Sequence, residues 1–194
     1  MSAHIDPEWE MVTVLFVDIR GFTSFADRAT AREAVEFLNE FFAVVIPVLT
    51  AHGGHVNKLL GDGLLGVFGA VTDCPDHADR ALAAAQEMLT TVESHFGGRC
   101  RIGINSGLVL VGTIGGGDHV ELGVIGDPVN VAARVQDATR DLDEPLLLTE
   151  ATRLLLDGSE AELVERGTLS LKGKAKPVAV HALRSRNASR TPTP

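Results

Sequence analysis

VNKLLGDGLLGVFG (56–69) is an apolar stretch that Lys58 and the triplet Gly61-Asp62-Gly63 interrupt. A Gly-Asp-Gly turn between two apolar runs is typical of a β-hairpin, and on this stretch alone Lys58 could simply pair with Asp62 at the surface. MVTVLFVDI (11–19) is apolar at nearly every position, which predicts a central strand covered on both faces. If that strand lies beside the hairpin, Asp18 and Asp62 meet at one end of a sheet.

The remaining sequence alternates between helix-like and strand-like periodicity, which predicts an α+β domain with a mostly antiparallel sheet and helices on one face. The predicted helices are 31–52, 76–96 and 127–139. The predicted strands are two short ones within 99–115 about a Ser106-Gly107 turn, then 119–125, 145–149 and a hairpin within 163–183.

The predicted helix ends rest on capping residues. Thr23 or Ser24 can cap the segment that follows the first strand, and Asp127 is the expected N-cap of the third helix, with Pro128 at its first position. The first helix has one apolar face, formed by Val35, Leu38, Phe42, Val45 and Leu49.

The composition describes one domain of 194 residues, of which 45% are hydrophobic, with apolar stretches broken by charges or glycine before they reach the length of a membrane span. The formal net charge of −9 disfavours a nucleic acid as partner, but it permits a small anion held by metal ions or a few basic side chains. Cys74 and Cys100 lack partners at metal-ligand spacing, as reduced thiols do, and MSAHIDPEWE (1–10) lacks a secretory pattern. We therefore expect a cytoplasmic protein without a membrane segment in this chain.

Asp18 ends an apolar strand, and the turn IRGFT (19–23) that follows can aim several backbone N–H groups, those of Gly21, Phe22 and Thr23, at phosphate oxygens. The simpler interpretation of Asp18 alone is a carboxylate that leaves the core and caps the next helix. Asp62, however, lies between glycines that let a ligand approach closely. Two adjacent carboxylates repel each other unless a cation lies between them, and oxygen ligands without histidine or cysteine favour Mg²⁺ or Mn²⁺.

The segment GDPVNVAARV (126–135) predicts a helix that presents Asn130 and Arg134 on one face, since they are four residues apart. An exposed polar stripe would explain both residues without any function. Arginine is, however, suited to the charge of a transferring phosphoryl group, and the small apolar residues around Arg134 indicate a closely packed helix.

Six segments together resemble the catalytic domains of class III nucleotidyl cyclases. They occur in the family's order and cover nearly the whole chain: FVDIRGFT (16–23), FLNEFF (37–42), HGGHVNKLLGDGLLGVFG (52–69), GINSGLVLVGTIG (103–115), VIGDPVNVAARV (124–135) and LKGKAKPV (171–178). The resemblance implies a ferredoxin-like sheet. We expect the catalytic domain to span 10–184, between an N-terminal extension 1–9 and a disordered tail 185–194 that has nothing to bury.

The resemblance also implies a metal site and a dimer. Asp18 and Asp62 match the family's two metal-binding aspartates, with the Ile19 carbonyl as a further ligand, so two divalent cations, Mg²⁺ or Mn²⁺, are the implied cofactors. Domains of this family work as head-to-tail dimers with the active sites at the interface. Because this chain carries every half of the site, a homodimer would build two complete sites by twofold symmetry.

The nucleotide-binding residues follow from the same resemblance. Asn130 and Arg134 match the pair that orients the ribose and stabilises the transition state, and Lys172 matches the lysine on the terminal phosphates. Lys58 matches the purine-reading lysine, and it would serve the partner's metal site rather than pair with Asp62. The implied reaction is attack of the ribose 3′-hydroxyl of ATP on the α-phosphorus, which yields cyclic AMP and pyrophosphate.

Gly123 departs from the adenylate cyclase pattern, in which Asp or Thr at this position accepts a hydrogen bond from the adenine amino group. Lys58 offers only donors, so it can reach adenine N1, whereas guanine N1–H would need an acceptor there. ATP is therefore the expected substrate, with a guanylate or dual-specificity cyclase as the nearer alternative. A regulatory dimer without turnover is the other alternative, although such modules normally lose a metal aspartate or the arginine.

Overall fold

The computed structural model describes residues 6–116, 119–157, 163–171 and 176–184. Its elements, in chain order, are β1 (Glu8–Ile19), α1 (Phe22–Ala26), α2 (Ala31–Ala51), β2 (His55–Leu60), β3 (Gly63–Phe68), α3 (His77–Phe96), β4 (Cys100–Gly116), β5 (His119–Ile125), α4 (Asp127–Asp141), β6 (Leu146–Thr149), α5 (Glu150–Arg153), β7 (Leu163–Leu169) and β8 (Val178–Leu183). β1 begins inside the segment 1–9 that we set apart as an extension. Lys172 and the tail 185–194 lie outside the described residues.

The described strands form one sheet in the order β2-β3-β1-β4-β6-β8-β7, with β5 also paired to β4. All of these pairs are antiparallel except β4 with β6. The predicted α+β class, the hairpin at 56–69 and the closing hairpin are confirmed. β1 lies between β3 and β4, which places the end of β1 beside the tip of the β2–β3 hairpin.

β4 is one continuous strand, so the prediction of two short strands about a Ser106-Gly107 turn is wrong. Both residues pair with β1, Ser106 opposite Thr13 and Gly107 opposite Val12. Ser106 is buried, and its hydroxyl lies 2.7 Å from the Thr13 hydroxyl. Pairing with a long neighbouring strand therefore overrides the local preference of Ser-Gly for a turn.

The helices lie on both faces of the sheet, which corrects the prediction that they share one face. Side chains of α2 and α3 pack with Leu15 and Val17 of β1 in the main core. Val12 and Val14, which alternate with those residues, point to the opposite face and pack with Ala132 of α4. Strand alternation thus gives β1 two buried faces, as its apolar sequence predicted.

Helix α2 begins with a capping box at Thr30 rather than with a cap at Thr23 or Ser24, which both lie inside α1. The Thr30 hydroxyl accepts from the backbone N–H of Glu33 at 3.3 Å, and the Glu33 carboxylate accepts from the backbone N–H of Thr30 at 2.7 Å. The preference for a polar residue before an apolar helix was correct, but the short α1 displaces the cap by several residues.

By length and composition, α2 is apolar enough to cross a membrane, so the expectation that every apolar stretch is too short does not hold for this helix. Its buried residues, Phe41, Val45, Val48 and Leu49, belong to the main core. The predicted apolar face is right for Val45 and Leu49 and wrong for Val35, which is 55% exposed.

Candidate active site

Asp18 and Asp62 come together because β1 and β3 pair antiparallel with Asp18 opposite Gly63. The backbone N–H of Ile19 also donates to the carbonyl of Asp62 at 3.2 Å, which joins the end of β1 to the hairpin tip. A Cβ on Gly63 would lie 2.5 Å from the Val17 carbonyl oxygen, so this close approach requires glycine. The turn at 61–63 thus brings the second carboxylate directly beside the first.

The Asp18 carboxyl is largely buried, and its Oδ1 atom has no hydrogen-bond partner among the described residues. The pKa of this carboxyl is raised to about 6 overall: burial is the main cause, a hydrogen bond with the Gln136 side chain opposes the rise, and the charge of Asp62 adds to it. Asp18 therefore offers a buried oxygen without a partner next to the carboxylate of Asp62. A hard cation bound to both carboxylates would supply the missing partner and remove their repulsion.

The residues therefore fit a divalent cation, but they supply only part of its coordination sphere. No group of three or more histidine, cysteine, aspartate or glutamate side chains suited to a metal occurs within the described ranges. Mg²⁺ typically uses one or two carboxylates and takes its other ligands from water and substrate phosphates. The pair Asp18 and Asp62, with the carbonyl of Ile19, has the composition of such a site.

The loop after Asp18 turns sharply at Gly21, whose φ of 78° lies in the left-handed region that favours glycine. Gly21 is also the N-cap of α1, with no side-chain cap bond at that end. The rings of Phe22 and Phe37 stack at 6.3 Å, so Phe22 anchors the loop in the core and only its backbone can face a ligand. Thr23 is exposed.

Positive charge lies close to this loop. An open cavity of about 730 Å³ adjoins it, lined in part by Arg20, Arg28 and Arg99. Arg101 of β4 lies directly opposite Asp18 in the sheet, and its charge and that of Arg140 lower the pKa of the Asp18 carboxyl. The sequence interpretation missed Arg101. Its place at the start of a strand next to β1 was the available signal, because antiparallel pairing sets the start of β4 against the end of β1, where Asp18 lies.

Lys58 and Gly123 form a second cluster, because β2 and β5 approach each other. The Asn57 amide donates to the carbonyl of Leu122 at 2.7 Å, and Lys58 Nζ donates to Glu121 Oε1 at 2.8 Å. Lys58 is therefore paired with Glu121 and not with Asp62. Glu121 was not among the predicted site residues, yet it lies two residues before Gly123 and so on the same face of β5.

Gly123 is buried and lies opposite Gly112 of β4. A Cβ at position 123 would overlap Cδ1 of Ile114, which occupies the space next to this glycine. Ile114 is 42% exposed. The position predicted to read the purine thus adjoins a half-exposed apolar side chain and shares its face of β5 with Glu121, the partner of Lys58.

Asn130 and Arg134 lie on the exposed face of α4, while Val131, Ala132 and Val135 face the core. Neither polar side chain has a hydrogen bond or ion pair within the part of the chain that the structure describes. The expectation of a closely packed helix is correct for its inner side only. Gly126, rather than Asp127, is the N-cap, and Pro128 lies in the first turn.

One chain keeps these clusters apart. Asp62 and Arg101 lie beside Asp18, whereas Lys58 is paired with Glu121 and Arg134 is exposed on α4. Gln136, on the other hand, brings the later turns of α4 to the Asp18 carboxylate. A single chain therefore assembles the carboxylates with their neighbouring cations, and it presents Asn130 and Arg134 outward elsewhere on α4.

Comparison with known proteins identifies the family. The sequence model for adenylate and guanylate cyclase catalytic domains matches residues 6–185. The chain belongs to this family. Cyclase domains of this class act as dimers, bind nucleotide substrates and generally use divalent metal ions. The predicted resemblance and fold class are thereby confirmed.

Relatives of this cyclase domain include enzymes for both purines. An uncharacterised protein of Mycobacterium tuberculosis is 36% identical over 172 residues, 86% of this chain and 30% of that protein. An adenylate cyclase of Anabaena cylindrica is 30% identical over 185 residues, 90% of this chain and 37% of that protein. The guanylate cyclase domain of RhGC from Catenaria anguillulae, solved with GTP, has a TM-score of 0.80 and 27% identity, covering 92% of this chain and 99% of that one.

This chain spans only about a third of the length of either curated relative. Membership in the family makes it a nucleotidyl cyclase domain, and its relatives include both adenylate and guanylate cyclases.

Proposed function

We propose that this cyclase domain converts ATP to 3′,5′-cyclic AMP and pyrophosphate as a head-to-tail homodimer in the cytoplasm. The observation that carries the proposal is the pair Asp18 and Asp62, with a buried carboxylate oxygen that has no partner. A domain that had lost catalysis would have no reason to retain two repelling carboxylates at this position. The regulatory alternative is disfavoured for the same reason.

Asp18, Asp62 and the carbonyl of Ile19 would hold two divalent cations, Mg²⁺ or Mn²⁺. When bound, these cations supply Lewis acidity that makes the ribose 3′-hydroxyl more acidic and neutralises the triphosphate. The backbone of Gly21, Phe22 and Thr23 orients the phosphates, and Lys172 contacts their terminal end. These residues position the nucleotide for in-line displacement of pyrophosphate.

In the proposed dimer, the exposed pair on α4 completes the partner's site. Asn130 orients the ribose, and Arg134 meets the negative charge that develops on the α-phosphate. Arg134 is exposed and makes no hydrogen bond or ion pair among the described residues, as a role in the partner's site requires. Each homodimer then contains two complete sites.

The preference for ATP rests on Lys58 and Glu121. Lys58 Nζ donates to adenine N1, and the Glu121 carboxylate, which accepts from Lys58 at 2.8 Å, holds the lysine in place for that contact. Gly123 itself supplies no side-chain acceptor. A dual-specificity cyclase is the second candidate, because a carboxylate at position 121 could also accept from the N–H groups of guanine.

Product identification tests the proposal directly. The homodimer is incubated with ATP and with GTP, each with Mg²⁺ and with Mn²⁺, and the products are separated by chromatography. We expect cyclic AMP as the main product and a lower kcat/KM for GTP. Asp18→Ala serves as the matched control for contaminating activity. Binding of ATP without formation of any cyclic nucleotide would refute the enzymatic proposal.

Complementation tests the shared site. Asp18→Ala and Arg134→Ala homodimers should each be inactive, whereas a mixture of the two should recover activity, because one site in the mixed dimer receives neither substitution. Subunit exchange is verified by differently tagged chains. Absence of recovery despite exchange would place both residues in the same chain's site.

A further inference from the structure

Three residues of β4 that share one face of the sheet form the surface on which α4 lies: Gly103, Asn105 and Gly107. A Cβ on Gly103 would overlap the backbone of Gln136, and a Cβ on Gly107 would lie 2.7 Å from Cγ of Pro128. The two glycines therefore let the helix approach the strand directly at both places. Asn105, between them, is the member of this set that carries a side chain.

Asn105 is 4% exposed and makes one hydrogen bond at each end of its amide. Its Nδ2 atom donates to the carbonyl of Pro128 at 3.0 Å, in the first turn of α4, and its Oδ1 atom accepts from the Thr149 hydroxyl at 2.7 Å. The Thr149 hydroxyl itself accepts from the backbone N–H of Thr152 at 3.3 Å, which holds it beside Asn105. Because a carbonyl oxygen can only accept, Pro128 fixes which end of the amide faces α4, and the Thr149 hydroxyl donates to the other end.

We infer that Asn105 is a positioning residue of the active site. It holds the first turn of α4 and so fixes the position of Asn130 and Arg134 along the helix axis. The inference rests on the proposed cyclase function. Asn130 follows Pro128 by two residues, and Arg134 lies one turn further along the same helix. Asn105 is buried beneath the helix and touches no substrate.

The apolar contacts of α4 restrict its distance from the sheet more strongly than its position along its own axis. Two glycines and small side chains such as Ala132 let the helix lie close to the strand, and none of them makes a directional bond to it. A hydrogen bond from Asn105 to a backbone carbonyl opposes sliding along the helix axis because it is directional. Loss of this bond would displace both polar side chains together, and a shift of about 1 Å can reduce turnover on the order of a hundredfold.

Mixed dimers separate positioning from a general effect on folding. In the mixture of Asp18→Ala and Arg134→Ala chains, the intact site takes α4 from the Asp18→Ala chain and the carboxylates from the Arg134→Ala chain. Asn105→Ala in the Asp18→Ala chain should lower the recovered kcat roughly tenfold to a hundredfold. The same substitution in the Arg134→Ala chain should have a clearly smaller effect, because that chain's Asn130 and Arg134 serve the dead site and its α4 reaches the intact site only where Gln136 contacts Asp18.

Ser106→Ala is the matched control. Ser106 is the next residue of β4, is 5% exposed, and bonds to Thr13 at 2.7 Å and Thr152 at 3.1 Å, neither of which belongs to α4. Its effect should be the same from either chain. With Asn105→Ala in the Asp18→Ala chain, KM for ATP should change far less than kcat, since Asp18, Asp62 and the phosphate-binding loop of the intact site belong to the other chain.

Thr149→Val keeps the side-chain volume and removes the hydroxyl that donates to Asn105 Oδ1. Thr149→Val should also lower the recovered kcat more in the Asp18→Ala chain than in the Arg134→Ala chain, although by less than Asn105→Ala. If Asn105→Ala chains do not fold, Thr149→Val tests the positioning role in their place. Equal losses from both placements would overturn the positioning role. Failure of the parent mixture to recover activity, before Asn105 is changed, would instead refute the shared site and the inference with it.

Discussion

Gly123→Asp tests whether position 123 faces the purine. The substitution supplies an acceptor for the adenine amino group and places negative charge near guanine O6, so it acts on both substrates in opposite directions. A hydrogen bond of this kind contributes about 1 to 3 kcal/mol when its loss leaves a group unpaired. We therefore expect the ratio of kcat/KM for ATP over GTP to rise roughly tenfold or more, equivalent to about 1.4 kcal/mol in transition-state binding.

Ile114 lies where the new side chain at position 123 must fit, so the substitution also affects stability. The new Cβ would overlap Cδ1 and Cγ1 of Ile114, which must rotate outward, and 42% of that residue is already exposed. Moving a half-exposed isoleucine costs about 1 kcal/mol. Because this cost is the same with either nucleotide, it should lower the melting temperature without changing the ATP to GTP ratio.

The assay compares Gly123→Asp, Ile114→Ala and the double variant in steady-state kinetics with Mg²⁺ and again with Mn²⁺. Ile114→Ala alone should keep the parental ratio within about twofold, since it adds no acceptor. The double variant should recover thermal stability and show the largest ratio, because the carboxylate is no longer displaced. An unchanged ratio in the double variant would mean that position 123 does not contact the base.

Asp18→Ala and Asp62→Ala should each abolish turnover, while circular dichroism and the urea midpoint of the dimer stay close to the parent, since both carboxylates are proposed to serve the metal and not the fold; residual near-parental activity in either variant would refute the metal site. Burial lowers the pKa of His77 below the ordinary 6.5, so the unfolded chain takes up this proton more readily than the folded state as the pH falls. The free energy of unfolding should therefore fall as the pH drops below 6.5, and His77→Gln should flatten this dependence in urea titrations; an identical slope would exclude His77 as its source. Thr30→Ala should destabilise the domain by about 1 kcal/mol through loss of the capping box, whereas Thr23→Ala, which removes no cap, should have little effect on the urea midpoint.

The sequence predicted the carboxylate pair because two strong local signals agreed. An apolar strand that ends in Asp18 and a glycine-flanked hairpin around Asp62 each specify a strand end, and pairing of β1 with β3 brings those ends together. The Lys58–Glu121 pair was not predictable in this way, because it depends on β2 and β5 approaching each other across the sheet. Its only local signal was a carboxylate on the same face of β5 as Gly123.

The errors have a common physical cause, which is that tertiary pairing overrides local preference. Ser106-Gly107 has the composition of a turn, yet a long β1 offers hydrogen-bond partners to both residues and keeps β4 extended. The sequence of α4 likewise shows which side is apolar, but not which face of the sheet that side covers. The strict alternation of β1 between two cores implied that helices had to cover both faces, and this consequence could have been drawn from the sequence.

The continuous strand β4 connects both half-sites of one chain. This strand places Arg101 opposite Asp18, holds α4 through Asn105, and pairs Gly112 with Gly123. From Arg101 to Gly112 its contour length is about 37 Å, at about 3.4 Å per residue. In the proposed dimer, the carboxylates at one end of this strand serve one site, whereas α4 and the purine-reading residues serve the other. A strand paired on both sides resists bending, so the two half-sites of one chain keep a fixed separation. Opening and closing of each complete site must then come from movement of one chain against the other.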